Sequence, residues 1–428
     1  MAIFLTVYPL KMSVLVIKGN KKLSGKISVA GNKNAVLPIM AACLLTKETC
    51  ILENVPNISD VKIMAKLLAL AGAKVSGIGT HKLTITAENL EKTIFPTELT
   101  QKLRASVLFL GPMVSRVGKI SLGYPGGDII GRRPLDTHIQ ALRAMGASFQ
   151  NEDKALIAAA KKLKGAKIFL EEASVTATEN AIMAAVTAEG QTVIKRAASE
   201  PHVVDLCLFL IKMGAQISGI GSNLLKINGV KKLHGASHSI RPDHIEVGTF
   251  AILAAVTKSR LEISPVIPED LNMILLTLEK FGVNLEIKED VLIVKENKLK
   301  SVEKVVTGVW PGFPTDLIAP MIVLATQAEG ATIIHDWMYE SRMFFVDKLL
   351  SMGAKAEIAD PHRVLVYGPA KLRGQNLDTP DIRAGMALVI AALSAEGKST
   401  IDKAELIERG YENLIERLSA LGARIASA

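Results

Sequence analysis

One local pattern returns six times along this 428-residue chain and limits its fold more than any other feature. An apolar helical run closes in glycine plus a small residue, and a strand follows. The pattern appears at Leu70-Ala71-Gly72-Ala73, Ala144-Met145-Gly146-Ala147, Lys212-Met213-Gly214-Ala215, Lys280-Phe281-Gly282-Val283, Ser351-Met352-Gly353-Ala354 and Ala420-Leu421-Gly422-Ala423. Its glycines are 74, 68, 68, 71 and 69 residues apart. A glycine in this position predicts a helix ending in the left-handed conformation, with a strand beginning just after it. Chance supplies two such matches but hardly six in register. A second marker agrees: Ala188-Glu189-Gly190, Ala328-Glu329-Gly330 and Ala395-Glu396-Gly397 each end an Ala-rich helix, and Thr257-Lys258-Ser259 takes the equivalent place in another unit.

The Ala-rich helices, such as 181–188 and 384–395, are apolar nearly all round and so belong in the interior. The expected class is therefore α/β, an inside-out arrangement with helices buried and sheets outside. A period this long predicts large units closing into globular bodies, not an open solenoid. Six units divide into two lobes of three. Crossings near Gly31–Asn34 and Ser239–Asp243 predict one lobe of 34–240 and a second of 12–33 plus 241–428, with 1–11 an N-terminal extension. Two lobes joined by two short crossings can open and shut on a ligand.

Composition narrows the chemistry. The apolar fraction of 49% and charged fraction of 22% are those of a globular protein. Aromatics at 4% leave too few rings for stacking single-stranded nucleic acid. The formal charge of +9 is dispersed, which fits a small polyanionic substrate and no nucleic-acid partner. Cys43, Cys50 and Cys207 lack metal-type spacing and read as buried small hydrophobes in a reducing compartment. The apolar start is too short to insert in a membrane and lacks a basic leader, so a cytoplasmic protein is expected, with Met12 an alternative start.

The stretch Gly123–His138 gathers four glycines, two prolines, Arg132-Arg133, Asp128, Asp136 and His138 into sixteen positions. Pro125-Gly126-Gly127 predicts a mobile surface loop carrying Asp128. Two adjacent guanidinium forks favour an anion with more than one charge. Elsewhere, Lys33 and Asn34 open a helix whose N-terminus can hold an anion, or serve only as a cap with a solvated lysine. Arg104 begins an apolar helix. Glu171–Asn180 is a hydroxyl-rich helix lead, at once a cap and a set of donors. Asp316 follows a Pro/Gly turn and is either a first-turn carboxylate or a general base. Three acid–arginine neighbours, Glu340/Arg342, Asp381/Arg383 and Glu408/Arg409, read as ordinary ion pairs, yet three of them in the second half of the repeat array also suggest a site. His138 beside Asp136 reads as a structural His–Asp hydrogen bond.

Together the pieces Gly31–Pro38, Leu103–Ser106, Pro125–His138, Ser174–Asn180, Gly312–Asp316, Glu340–Arg342, Asp381–Ala384 and Arg409–Glu412 resemble the enolpyruvyl transferases over nearly the whole chain. The resemblance implies that family's two-lobed fold and no cofactor or metal. It implies phosphoenolpyruvate and UDP-N-acetylglucosamine as substrates, in the first committed step of peptidoglycan synthesis. Lys33, Arg133 and Arg409 would grip phosphoenolpyruvate. Asn34, Arg104, Pro134, Leu135, Asp136, Thr137, Ser174, Val175 and Met338 would hold the sugar nucleotide. Asp316 would take the proton of the sugar 3-hydroxyl, with Asp381 and Arg383 supporting a second anion face. Asp128 stands where most members have the cysteine that protonates the vinyl carbon, so insensitivity to the thiol-alkylating epoxide fosfomycin is implied. Leu406 replaces a usual histidine. Asn32-Lys33-Asn34 differs from the Ser-Lys-Ser of the sister 5-enolpyruvylshikimate-3-phosphate synthase, which is the alternative along with an inactive sugar-nucleotide-binding paralogue. A monomer is expected.

Overall fold

The computed structural model describes residues 13–128 and 130–428; the expected extension 1–11 and the alternative start Met12 lie outside the described residues. Six four-stranded sheets account for the strands, and each has the same plan: one parallel pair at an edge, extended by antiparallel neighbours. In one, Ser237–Ser239 pairs parallel to Thr49–Glu53, which runs antiparallel to Lys82–Thr86 and then Lys74–Ser76. The repeat in the sequence is therefore a repeat in topology.

The six repeat glycines all adopt left-handed backbone, with φ between +81° and +109°. At the first, the Gly72 and Ala73 N–H groups donate back to the carbonyls of Ala69 and Leu68, which closes the helix Ser59–Ala71 and turns the chain into a strand. The second marker behaves likewise: Gly190, Gly330 and Gly397 are left-handed, and Lys258 takes φ +52° in their place. A lysine there accepts the steric cost that glycine avoids.

Helices fill the interior because their sequences leave no polar face. His244–Val256 is buried at every position, and Ile382–Ser394 is buried from Ile382 through Leu393. The strands alternate, with Thr49–Glu53 burying Cys50 and Leu52 while Thr49 and Glu53 face out. Two separate apolar cores result. One joins residues 35–240; the other joins residues 15–29 with 245–425. The chain passes between them twice, side by side. Asn32 N–H donates to the Arg241 carbonyl at 2.8 Å, and Asp243 N–H donates to that of Ala30 at 3.0 Å. Among the described residues no helix is long and apolar enough to cross a membrane, and no cluster of three metal-ligating side chains is present.

Candidate active site

Between the two cores lies a cleft of about 450 Å³. Its floor is made by helix starts aimed inward. Asn32 caps the helix Lys33–Ala42 by accepting from the Asn34 and Ala35 N–H groups, which leaves Lys33 at the first position facing the cleft. Asp381 caps Ile382–Ser394 in the same way and fixes Arg383. Ser174 caps Val175–Ala185. Capping residues and cleft residues are thus neighbours because one backbone geometry serves both.

The charged groups form two webs. In the first, Asp60 is almost wholly buried and takes Lys33 Nζ at 3.0 Å and Arg409 Nε at 2.9 Å. Arg409 Nη1 then reaches Asp128 Oδ1 at 2.6 Å. Burial works against the Arg409 charge, but Asp60 and Asp128 raise it above the ordinary arginine value. In the second, Asp316 Oδ1 accepts from Arg342 at 2.7 Å, and its Oδ2 accepts from Arg383 Nη2 at 2.9 Å. Burial alone would push the Asp316 carboxyl up. Arg383, Arg342 and Lys33 outweigh it and hold the group well below the usual carboxylate range. Arg383 also donates to Tyr411 Oη at 3.2 Å, and Tyr411 meets Thr249 Oγ1 at 3.0 Å. Asp381 moves the other way: burial raises it, against Arg342 and its own cap bonds.

The loop rests against both cores in this structure. An added Cβ on Gly126 would stand 1.9 Å from the Gln101 carbonyl, and one on Gly127 2.8 Å from Arg104 Cβ. On the far side, Arg132 N–H donates to Glu340 Oε1 at 2.9 Å, and Ser341 N–H to the Ile130 carbonyl at 3.1 Å. Gly131 has φ +136°, and a Cβ there would fall 2.4 Å from Glu340 Oε2. The loop therefore bridges the two cores. Arg104 braces its base by donating to the carbonyls of Arg133 at 2.6 Å and Pro134 at 3.4 Å; burial and the neighbouring Arg133 charge draw Arg104 down to about 10.

Of the residues singled out above, Lys33, Asn34, Arg104, Asp128, Arg133, Pro134, Ser174, Val175, Asp316, Met338, Asp381, Arg383 and Arg409 line this one cleft. Leu135, Asp136 and Thr137 stand behind its wall, where Leu135 and Asp136 begin the helix Asp136–Ala144 and Thr137 is buried. Two local readings are corrected. His138 bonds Thr176 Oγ1 at 3.1 Å and Asn180 Nδ2 at 2.9 Å, not Asp136, because the buried end of its helix faces Val175–Ala185. The acid–arginine neighbours do not pair locally either: Arg342 and Arg383 share Asp316, Arg409 takes Asp60 and Asp128, and Glu340 holds the loop backbone. Sequence reasoning missed Asp60, which reads only as a first-turn acid of Ser59–Ala71. It also missed Asp336, a fully buried carboxylate that accepts from Thr307, Thr315 and the Met338 N–H and so positions the turn carrying Met338.

Comparison with known proteins decides the family. The EPSP synthase (3-phosphoshikimate 1-carboxyvinyltransferase) profile matches residues 17–418. The chain belongs to the enolpyruvyl transferases. Within the family, it is 48% identical over 422 residues to the UDP-N-acetylglucosamine 1-carboxyvinyltransferase of Treponema denticola, covering 97% of this chain and 99% of that one. The protein of the same name from Bradyrhizobium diazoefficiens is 47% identical over 96% of this chain and 97% of its own length. Among solved structures, the enolpyruvyl transferase NikO from Streptomyces tendae superposes with a TM-score of 0.88 at 24% identity, covering 97% of this chain and 99% of that one. EPSP synthase from Acinetobacter baumannii gives 0.74 at 18% over 98% and 100%. At those identities the two structures speak for the enolpyruvyl transferase fold alone.

Proposed function

We propose that this enzyme transfers the enolpyruvyl group of phosphoenolpyruvate to the 3-hydroxyl of UDP-N-acetylglucosamine, releasing phosphate, and that it does so as a cytoplasmic monomer committing the sugar nucleotide to peptidoglycan. The observation that carries the reading is that Asp128 and Asp316 line one cleft, the first held by Arg409 and the second by Arg342 and Arg383, with Lys33 beside them on Asp60. Full-length identity near 48% to relatives bearing that activity's name supports the acceptor.

Phosphoenolpyruvate is a poor electrophile until its CH₂ carbon gains a proton. Asp128 supplies that proton, the sugar oxygen bonds to the adjacent carbon, and Asp316 takes the hydroxyl proton. The tetrahedral ketal then loses phosphate, which leaves with the proton held by Asp316, while the Asp128 carboxylate takes a proton back from the methyl group and the double bond is restored. Lys33, Arg409, Arg342 and Arg383 are occupied by the cleft's own carboxylates, so binding at these four is an exchange of anions. Substrate phosphate arriving at Arg409 displaces Asp128 and frees that carboxyl to face the vinyl carbon. Substrate anions drawing Arg342 or Arg383 off Asp316 restore the proton affinity a base needs. The division into 34–240 and 12–33 plus 241–428 supplies the closing motion, with the loop latch at Glu340 as its end point.

A coupled phosphate assay tests the reading. Release is expected only with phosphoenolpyruvate and UDP-N-acetylglucosamine together; release with shikimate 3-phosphate in place of the nucleotide moves the assignment to the sister activity, and none with either acceptor leaves a binding paralogue. The enzyme is also expected to survive fosfomycin, and Asp128→Cys to gain time-dependent inactivation by it. Rapid inactivation of the unaltered enzyme contradicts the role given to Asp128.

A further inference from the structure

One wall of the cleft is used by none of the steps above. Glu179, in the helix Val175–Ala185, Glu200, just before the helix Pro201–Lys212, and His202, within it, all line the cleft. Glu179 is 1% exposed and His202 6% exposed. Each has a buried polar atom without a hydrogen-bond partner among the described residues: Glu179 Oε1, Glu200 Oε2 and His202 Nδ1. Buried polar atoms are nearly always paired, so three orphans on a single wall point to a partner that the chain itself does not supply. The second core completes the wall. The His244 ring stacks on His202 with centroids 6.2 Å apart, Trp310 meets His244 edge-on at 5.6 Å, and Ser199 Oγ donates to the Trp310 carbonyl at 3.4 Å.

We infer that Glu179, Glu200 and His202 form a hydrogen-bonding wall that reads the sugar ring of the acceptor, its hydroxyl and acetamido groups. The inference rests on the activity proposed above. Three features place and characterise the wall. Asp316, the base for the sugar hydroxyl, is the carboxylate whose charge acts on both His202 and His244, so the wall adjoins the acceptor side. Burial shifts all three groups toward their uncharged forms: burial, then Glu200, raises the Glu179 carboxyl well above its usual value, burial raises Glu200, and burial, then His244, lowers His202 to about 3. Carboxyls shifted toward the protonated form and a neutral imidazole offer donors and acceptors together, which suits hydroxyl and amide groups. Ionised carboxylates there would instead repel the nucleotide's diphosphate.

The test is a steady-state comparison of Glu179→Gln, Glu179→Leu, Glu200→Gln and Glu200→Leu with the unaltered enzyme. Glutamine keeps a neutral donor and acceptor, so it is expected to hold the KM for UDP-N-acetylglucosamine within about threefold. Leucine removes both and is expected to raise that KM about tenfold or more while the KM for phosphoenolpyruvate stays within about twofold. Glu179→Asp, which withdraws the carboxyl by one methylene, has to raise the same KM and serves if a leucine variant does not fold. Inhibition by N-acetylglucosamine 1-phosphate is expected to weaken in parallel, with inhibition by UDP unchanged. Unchanged KM values, equal changes in both, or weakening confined to UDP overturns the inference. An unaltered enzyme that releases no phosphate with UDP-N-acetylglucosamine refutes the underlying activity instead.

Discussion

At the scale of the residue, Asp128 has two tasks. Its carboxylate caps Arg409 at 2.6 Å while the side chain remains partly exposed at 21%, so it is the carboxylate of this web that solvent and ligand can reach. Its value lies in the proton it can deliver. Asp128→Asn keeps the shape and removes the acid, and kcat is expected to fall about 10²- to 10⁴-fold. The KM for phosphoenolpyruvate should not rise, because Arg409 loses a competitor for the incoming phosphate. A variant that keeps its kcat and loses affinity would show Asp128 to be a binding group only. Asp60 illustrates what single positions hide: nothing around it in the chain separates it from any helix-start acid, yet folding brings it to both Lys33, 27 positions earlier, and Arg409, 349 positions later.

At the scale of the element, legibility follows from locality. The six glycine helix ends were readable because left-handed backbone is a local demand on one residue, and all six meet it. The buried helices were readable because their apolar character runs all round. The partners of the arginines were not, since an acid near an arginine in the chain says nothing about which acid faces it across a cleft. Arg342 and Arg383 converge on Asp316 only once the helix starts are assembled. The same holds for the loop. Its glycines read as turn residues in the sequence, and assembly adds a further demand on two of them: a Cβ on Gly126 would meet the Gln101 carbonyl at 1.9 Å, and Gly131 holds φ +136° beside Glu340. Gly131→Ala therefore strains the backbone at the latch and displaces the Glu340 carboxylate that holds it. Since φ +136° costs an alanine about 1–3 kcal/mol, the expected result is faster hydrogen exchange over 124–133 and a loss in kcat/KM of about tenfold, with the melting temperature nearly unchanged. Unaltered exchange in an impaired enzyme would mean that the loop's resting position does not matter.

At the scale of the whole molecule, two cores with their apolar helices facing inward leave little solvent beneath the cleft, and its titratable groups carry the consequence. His138, His202 and His244 are each drawn down to about 3, chiefly by burial. Below about pH 6.5 the unfolded chain protonates these histidines while the folded chain does not, so the unfolded state binds more protons and stability is lost as pH falls. At pH 5 each such histidine should cost about 2 kcal/mol relative to neutral pH. The raised carboxyls of Glu179, Glu200 and Asp243 act in the opposite sense, since there the folded state binds the extra proton. The net slope therefore decides nothing, and a difference is needed. His138→Gln can still meet Thr176 and Asn180 but no longer titrates in the unfolded chain. It is expected to be less stable than the unaltered enzyme at pH 7, with the gap narrowing by about 2 kcal/mol at pH 5 when both are unfolded in urea. A gap of the same size at both values would mean that His138 takes up its proton in the folded enzyme, and that the floor of the cleft is open to water.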